Sequence, residues 1–322
     1  MISKERKPKR LFISGMMRSG TTLLQRALDA HPEIQVHYQS STEYLLCLKK
    51  KFLNEIGRSD YHILAHYNPS PGYKYSEFLD WQRRTYSNGE GIFSGVASEG
   101  HLAFGIKEIL AEEFYPSLLQ DRVYCINIIR DPRDVISSTS FGNGAAFTGK
   151  PRPVLFDLRN WRKSVHFSRR LNADPYFRTV VFEELVADPE SILGELFEWL
   201  NVPGLAANFI SEKMQENSWG GNSSFSSRAP FDKSAIGGYE NSLPESVLSY
   251  VEATCLSEMD WLGYPVQQSC DERRKIIEMY KDPFQIDRPE FECGYSYSGS
   301  NINYELKRLE KNISELNDEI FE

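Results

Sequence analysis

The sequence predicts an α/β protein: one P-loop-like, doubly wound parallel sheet with flanking helices, followed by a helical, coiled-coil-like C-terminal extension. Three observations predict it. Short aliphatic runs of the density needed for strands buried on both faces alternate with helical patterns. The first run ends in a glycine-spaced turn that opens a helix, "GMMRSGTT" at 15–22. Two Asp-Pro pairs, at 131–132 and 188–189, each place an N-cap residue before a proline in the first turn of a helix.

In chain order, "RLFISG" (10–15) is the first strand, and a helix follows over 20–30 with Leu23, Leu24, Ala27 and Leu28 on one side. "FGIKE" (104–108), "VYCINIIR" (123–130) and "RTVVFEEL" (178–185) are the next strands, with helices over 132–140 and 190–200 after the Asp-Pro pairs. Residues 217–240, rich in Gly, Ser and Asn, read as a functional loop or a disordered one. The helical pattern resumes at "PESVLSYVEATCLSEMDWLGYP", so the main domain is expected over 9–267 and an extension over 268–322. In that extension Ile302, Leu306, Leu309, Ile313, Leu316 and Ile320 alternate at spacings of four and three, which predicts a coiled-coil-like helix over about 301–322. Such a seam must be covered, either by another copy of the chain, giving a homo-oligomer, or by its own domain.

Composition narrows the function. A net charge of −8 argues against a general nucleic-acid binder, which needs surplus Lys and Arg to neutralise phosphates. The five cysteines are odd in number and lack a C-x-x-C pair, which fits reduced thiols and neither a disulfide framework nor a zinc site. The basic N-terminus leads into too short an apolar run for a signal peptide or a membrane span, so the expected location is cytoplasmic.

The glycine-spaced turn is the main chemical signal. A strand that turns through glycine into a helix presents unpaired backbone N–H groups to an anion. Gly15 and Gly20 allow the turn, Ser19, Thr21 and Thr22 add hydroxyls, and Arg18 adds charge. A triphosphatase carries lysine where this chain has Thr21. The missing lysine, with no acidic metal-binding partner strand in sight, speaks against a nucleotide or small-molecule kinase and for a smaller anion held without a metal.

"GMMRSGTTLLQRALDAHPEI" resembles the 5′-phosphosulfate loop of the PAPS-dependent sulfotransferases, PAPS being 3′-phosphoadenosine-5′-phosphosulfate. The similarity is greatest to the carbohydrate and protein-tyrosine branch, where "RSGTT" is followed by "LDAHP". "IIRDPRDVISS" (128–138) is similar to that family's 3′-phosphate signature, with Arg130 and Ser138 in its arginine and serine places. The resemblance extends over most of 9–265 and implies transfer of a sulfuryl group from PAPS to a hydroxyl or amine, with PAP as product and no metal. It implies that Lys107 contacts the transferring group, and that Arg228, Lys233, Ser234 and Gly237 belong to a loop folding over the donor.

The chain departs from the pattern at the general base. The glutamate expected shortly after "HPE" falls on Gln39, which leaves Glu43 as the nearest carboxylate, with His37 and His101 as rivals. Aromatic residues within 61–86 form either an acceptor-facing wall or a buried stripe under a helical cap. The favoured acceptor is a small molecule, glycan or glycolipid, with protein tyrosine and a non-catalytic donor-binding scaffold as alternatives.

Overall fold

The computed structural model describes residues 7–58, 73–85, 91–94, 96, 100–142, 152–216, 229–266, 270–284 and 299–316. Five strands, β1 (Lys9–Ser14), β2 (Ile34–Tyr38), β3 (Ala103–Lys107), β4 (Tyr124–Ile129) and β5 (Phe177–Val181), form one sheet in the order β2-β3-β1-β4-β5. Every pairing is parallel. The chain crosses from β1 outward in both directions, which makes a switch point at the carboxyl end of β1, where open α/β sheets place their ligands.

The helices are α1 (Thr21–Asp29), α2 (Thr42–Glu55), α3 (Tyr75–Thr85), α4 (Tyr115–Gln120), α5 (Pro132–Ile136), α6 (Val154–Leu171), α7 (Phe182–Ala187), α8 (Pro189–Trp199), α9 (Ala207–Glu216), α10 (Glu245–Trp261), α11 (Cys270–Met279) and α12 (Gly299–Arg308). Alternation along the strands sends Leu11, Ile13, Val36, Ile126 and Ile128 to one face, where α1 and α8 cover them. Phe12, Ile106 and Cys125 point to the other face, under α2, α3, α6 and α10. Both Asp-Pro caps form as expected: Asp131 accepts from the Arg133 N–H and Asp188 from the Ser191 N–H.

Three elements differ from the sequence expectation. β2 has no counterpart in it, because a five-residue edge strand of mixed polarity carries little periodic signal. β5 ends at Val181 instead of running on to residue 185; Phe182 begins α7, whose first turn holds Glu183 and Glu184, where acidic side chains complement the helix dipole. α6 is buried along most of its length although it contains Arg159, Arg162, Lys163 and His166. It has no counterpart in the sequence expectation, and only partners elsewhere in the chain make it a core helix.

The tail explains that burial. It does not run as one seam from 301: α12 stops at Arg308, a turn follows, and Asn312 caps a new helical stretch. The Asn312 side chain accepts from the Ser314 and Glu315 N–H groups while Glu315 accepts from the Asn312 N–H, a capping box that restarts the helix. Leu306 and Leu309 pack on the core of their own domain, Leu316 is buried, and Ile302 is exposed. Ile320 lies outside the described residues. The deepest tail contacts are ionic: Glu305 bridges Arg159 and Arg162 at 3.0 and 2.6 Å, and Arg308 pairs with Glu258, which also meets His166 at 3.0 Å. Of the two covers expected for the tail, the structure displays its own domain.

Candidate functional site

The loop from Gly15 to Gly20 leaves the carboxyl end of β1 and enters α1. Gly20 has φ 95°, and a Cβ there would lie 2.4 Å from the Phe182 ring. Arg18 also adopts a left-handed backbone, φ 68°, a conformation that a bulky residue rarely takes and that the surrounding loop must enforce. The loop amides and the start of α1 face the switch point with hydroxyls from Ser19, Thr21 and Thr22, all buried. Replacing Gly20 by alanine is expected to cost about 1–2 kcal/mol from the backbone alone, plus displacement of Phe182. Denaturant melts with and without nucleotide check both parts.

β4 delivers the second motif to the same place. Arg130 follows its last residue, and the π turn Ser137–Phe141 after α5 carries Ser138. Arg18 Nε donates to Ser138 Oγ at 2.7 Å, and Arg130 Nη1 donates to the Arg18 carbonyl at 3.3 Å. The two motifs, more than a hundred residues apart in sequence, are therefore in direct contact. The Arg130 guanidinium stacks on Phe182, 4.5 Å from the ring centroid, and the Trp161 indole donates to the Arg130 carbonyl at 2.8 Å. Burial lowers the Arg18 pKa, and Arg130 beside it adds to the effect. Two crowded guanidiniums favour an anion between them.

Lys107 ends β3 in register with Tyr38 and Ile13, on the α1 face of the sheet. It is 1% exposed, and its Nζ sits 3.6 Å from the Tyr38 ring centroid. Among the described residues no carboxylate or carbonyl hydrogen-bonds that ammonium. Burial pulls its pKa down to about 7, against the opposing influence of Glu108. Tyr38 in turn hydrogen-bonds Thr22 and lies close to Arg18, which brings Lys107 to the phosphate loop. Two further buried polar atoms there lack partners among the described residues, Ser19 Oγ and Arg130 Nε. A buried hydroxyl and guanidinium N–H without acceptors among the described residues, beside a cation covered by a ring, are what an anionic donor would satisfy.

The candidate bases separate clearly. Glu43 is exposed in the first turn of α2, just beyond Gln39, whose N–H donates to the Lys107 carbonyl at 2.8 Å and whose φ is 45°. His37 shares its register with Ile106 and so points to the sheet face opposite Tyr38 and Lys107. His101 precedes β3, at the amino end of the sheet and away from the phosphate loop. Lys233 and Ser234 are exposed on a single 3-10 turn, Gly237 has φ 74°, and Arg228 lies outside the described residues. Half of the aromatic segment also lies outside them; Phe78 and Trp81 are buried against Phe52 and Tyr75 against Phe167, as a stripe under a cap.

Three residues of the site were not found from sequence. Glu108, beside Lys107, is buried; its Oε1 accepts from the Ser41 N–H at 2.8 Å and its Oε2 from the Thr42 hydroxyl at 2.6 Å, which ties β3 to the start of α2. Tyr38 covers Lys107, and Phe182 supports Arg130. Glu108 adjoins a chosen lysine in sequence and was open to notice, whereas Tyr38 and Phe182 become relevant only through β2 pairing and the early end of β5.

Residues 8–263 match the family model of the sulfotransferase domain, and the chain belongs to that family. It is a sulfotransferase by that membership. Among solved structures, the sulfotransferase domain from the curacin biosynthetic pathway is similar at 17% identity with a TM-score of 0.50, over 81% of this chain and 100% of that one. The sulfotransferase domain of the Synechococcus PCC 7002 olefin synthase is 18% identical, TM-score 0.49, over 82% and 98%. Mouse sulfotransferase SULT7A1, solved with PAP, is 13% identical, TM-score 0.47, over 85% and 90%. A search of curated proteins gave no match. Among the described residues no helix is long and apolar enough to cross a membrane, and no group of three or more His, Cys, Asp or Glu side chains is placed to hold a metal.

Proposed function

We propose that the chain takes its sulfuryl group from PAPS and passes it to a hydroxyl or amine of a small molecule, glycan or glycolipid. The observation that carries the reading is the contact between the two motifs, Arg18 Nε to Ser138 Oγ at 2.7 Å, beside the buried Lys107 ammonium under the Tyr38 ring. The phosphosulfate supplies an activated sulfuryl group with a good leaving phosphate. Ser19, Thr21, Thr22 and the loop amides hold the 5′-phosphate end, and Arg130 with Ser138 holds the 3′-phosphate. Arg18 and Lys107 meet the charge that builds on the sulfuryl and bridging oxygens, and need no metal to do so. Tyr38 and the buried surroundings of Lys107 keep water from that ammonium.

Glu43 takes the acceptor proton in this reading: it is exposed in the first turn of α2, next to Thr42, which bonds Glu108 beside Lys107, while His37 and His101 face elsewhere. Glu43→Gln is expected to lower kcat by about 10²–10⁴, the usual worth of a general base, with donor binding unchanged; undiminished turnover would remove Glu43 from this role.

The donor assignment is tested by thermal shift. PAP should stabilise the protein well beyond AMP at equal concentration, because AMP has no 3′-phosphate to engage Arg130 and Ser138. Arg130→Ala should cost PAP about 2–4 kcal/mol and leave AMP nearly unaffected, as when one partner of a buried charged pair is removed. Equal shifts from PAP and AMP would sink the assignment.

A further inference from the structure

Asp134 sits in the first turn of α5, where a carboxylate ordinarily serves its own helix. That duty is already met by the Asp131 cap. Asp134 is 2% exposed and instead gives both oxygens to a distant loop: Oδ2 accepts from the Gly237 N–H at 2.9 Å and Oδ1 from the Tyr239 N–H at 3.0 Å. The same carboxylate stands 3.4 Å from the Arg130 guanidinium, longer than either loop bond. Arg130 also donates to the Ala235 carbonyl, Arg133 lies 4.5 Å from the Tyr239 ring centroid, and the Ser137 and Ser242 hydroxyls meet at 2.6 Å. Residues 130, 133, 134 and 137 thus form one face gripping residues 235–242.

We propose that Asp134 is a positioning residue, a latch that fixes loop 233–241 over the donor site through the Gly237 and Tyr239 amides while leaving Arg130 able to turn to its phosphate. The proposal rests on the reading of Arg130 as a donor-binding residue. Gly237 fits the latch: its left-handed backbone presents its own N–H and the Tyr239 N–H to one carboxylate. The longer Arg130 contact is the one that gives way when an anion arrives, since the loop bonds are short and buried.

Asp134→Asn decides between this role and that of a mere counter-ion for Arg130. An asparagine presents an NH₂ to one of the two loop N–H groups and so cannot accept both. A latch predicts PAP binding weakened about tenfold, Gly237 and Tyr239 amides exchanging at least about tenfold faster, and the acceptor KM unmoved. A counter-ion predicts the opposite sign, because neutralising a carboxylate beside Arg130 would tighten phosphate binding; unchanged or tighter PAP binding overturns the proposal. Amides of β1 and β4 in the same exchange experiment report whether the variant is folded. Should it not fold, Arg130→Met decides: the loop amides must remain slow there, and fast exchange means that Arg130, not Asp134, holds the loop. If the wild type fails to bind PAP, the donor assignment falls, whereas the exchange data still judge the latch.

Discussion

Glu305→Ala is expected to destabilise the protein by about 3–5 kcal/mol, the cost of leaving a buried charge without its partner. Arg159 and Arg162 are 1% and 0% exposed, and Glu305 is the carboxylate that both contact. Removing it takes from two buried guanidiniums the carboxylate they share. At about 2–4 °C per kcal/mol, the melting temperature should fall by roughly 10 °C. Deleting residues 299–322 should do at least as much harm, since Arg308 and its pair with Glu258 go too. Replacing Arg159, Arg162 and Glu305 together by apolar residues of similar volume should restore much of the loss, because the desolvation cost disappears with the charges. A single variant melting like the wild type would mean that water reaches this network.

The same network sets an acid limit. Burial works to raise the Glu305 pKa, but Arg162 and Arg159 outweigh it and hold the carboxyl down to about 2. A depressed carboxylate pKa adds stability that is present above its unfolded value and lost as pH falls through the folded one. The contribution of Glu305 therefore disappears between about pH 4.5 and pH 2, and the acid melt of Glu305→Ala should be flatter across that window.

Lys107→Met is expected to lower kcat by about 10²–10³, or about 3–4 kcal/mol, as when one donor to a developing oxyanion is removed. Methionine nearly matches the stem and keeps the packing under Tyr38, so the loss measures charge and hydrogen bonding. Burial lowers the Lys107 pKa to about 7, with Glu108 opposing, so the free enzyme loses this proton as pH rises through neutrality. The fall of kcat/KM above about pH 7 should follow that single ionisation, and the residual activity of Lys107→Met should not show it. For folding the sign is the reverse: between about 7 and 10.5 the unfolded chain binds the extra proton, so this group makes stability rise with pH. A wild-type profile flat through neutrality would show that Lys107 does not act as a cation in turnover.

Much of the site was legible because its parts are local. A strand that ends in glycine and opens a helix must present amides to an anion whatever surrounds it, so Gly15 to Thr22 could be read without a fold. Asp131 and Asp188 cap their helices for the same reason, through bonds that span two or three residues. Four of the five strands and the placement of Arg130 at a strand end followed from aliphatic runs too dense to be half-solvated. Parallel pairing then brought the two motifs, at Arg18 and at Arg130 to Ser138, to one edge, as the order of the elements requires.

What tertiary structure alone decided is the fate of charge. The burial of Lys107 and Glu108, of Asp134 four residues after Arg130, and of the arginines of α6 is not contained in any local sequence pattern. Each becomes buried only because a distant segment supplies its partner or cover: Tyr38 over Lys107, the 235–242 loop on Asp134, and Glu305 between Arg159 and Arg162. The tail seam shows the converse, since its apolar spacing left another copy of the chain or its own domain as the cover, while an Asn312 capping box and a buried carboxylate tied it to its own domain. Apolar periodicity is a property of neighbours in sequence. The cost of burying a charge depends on what lies across the fold, and no local pattern contains it.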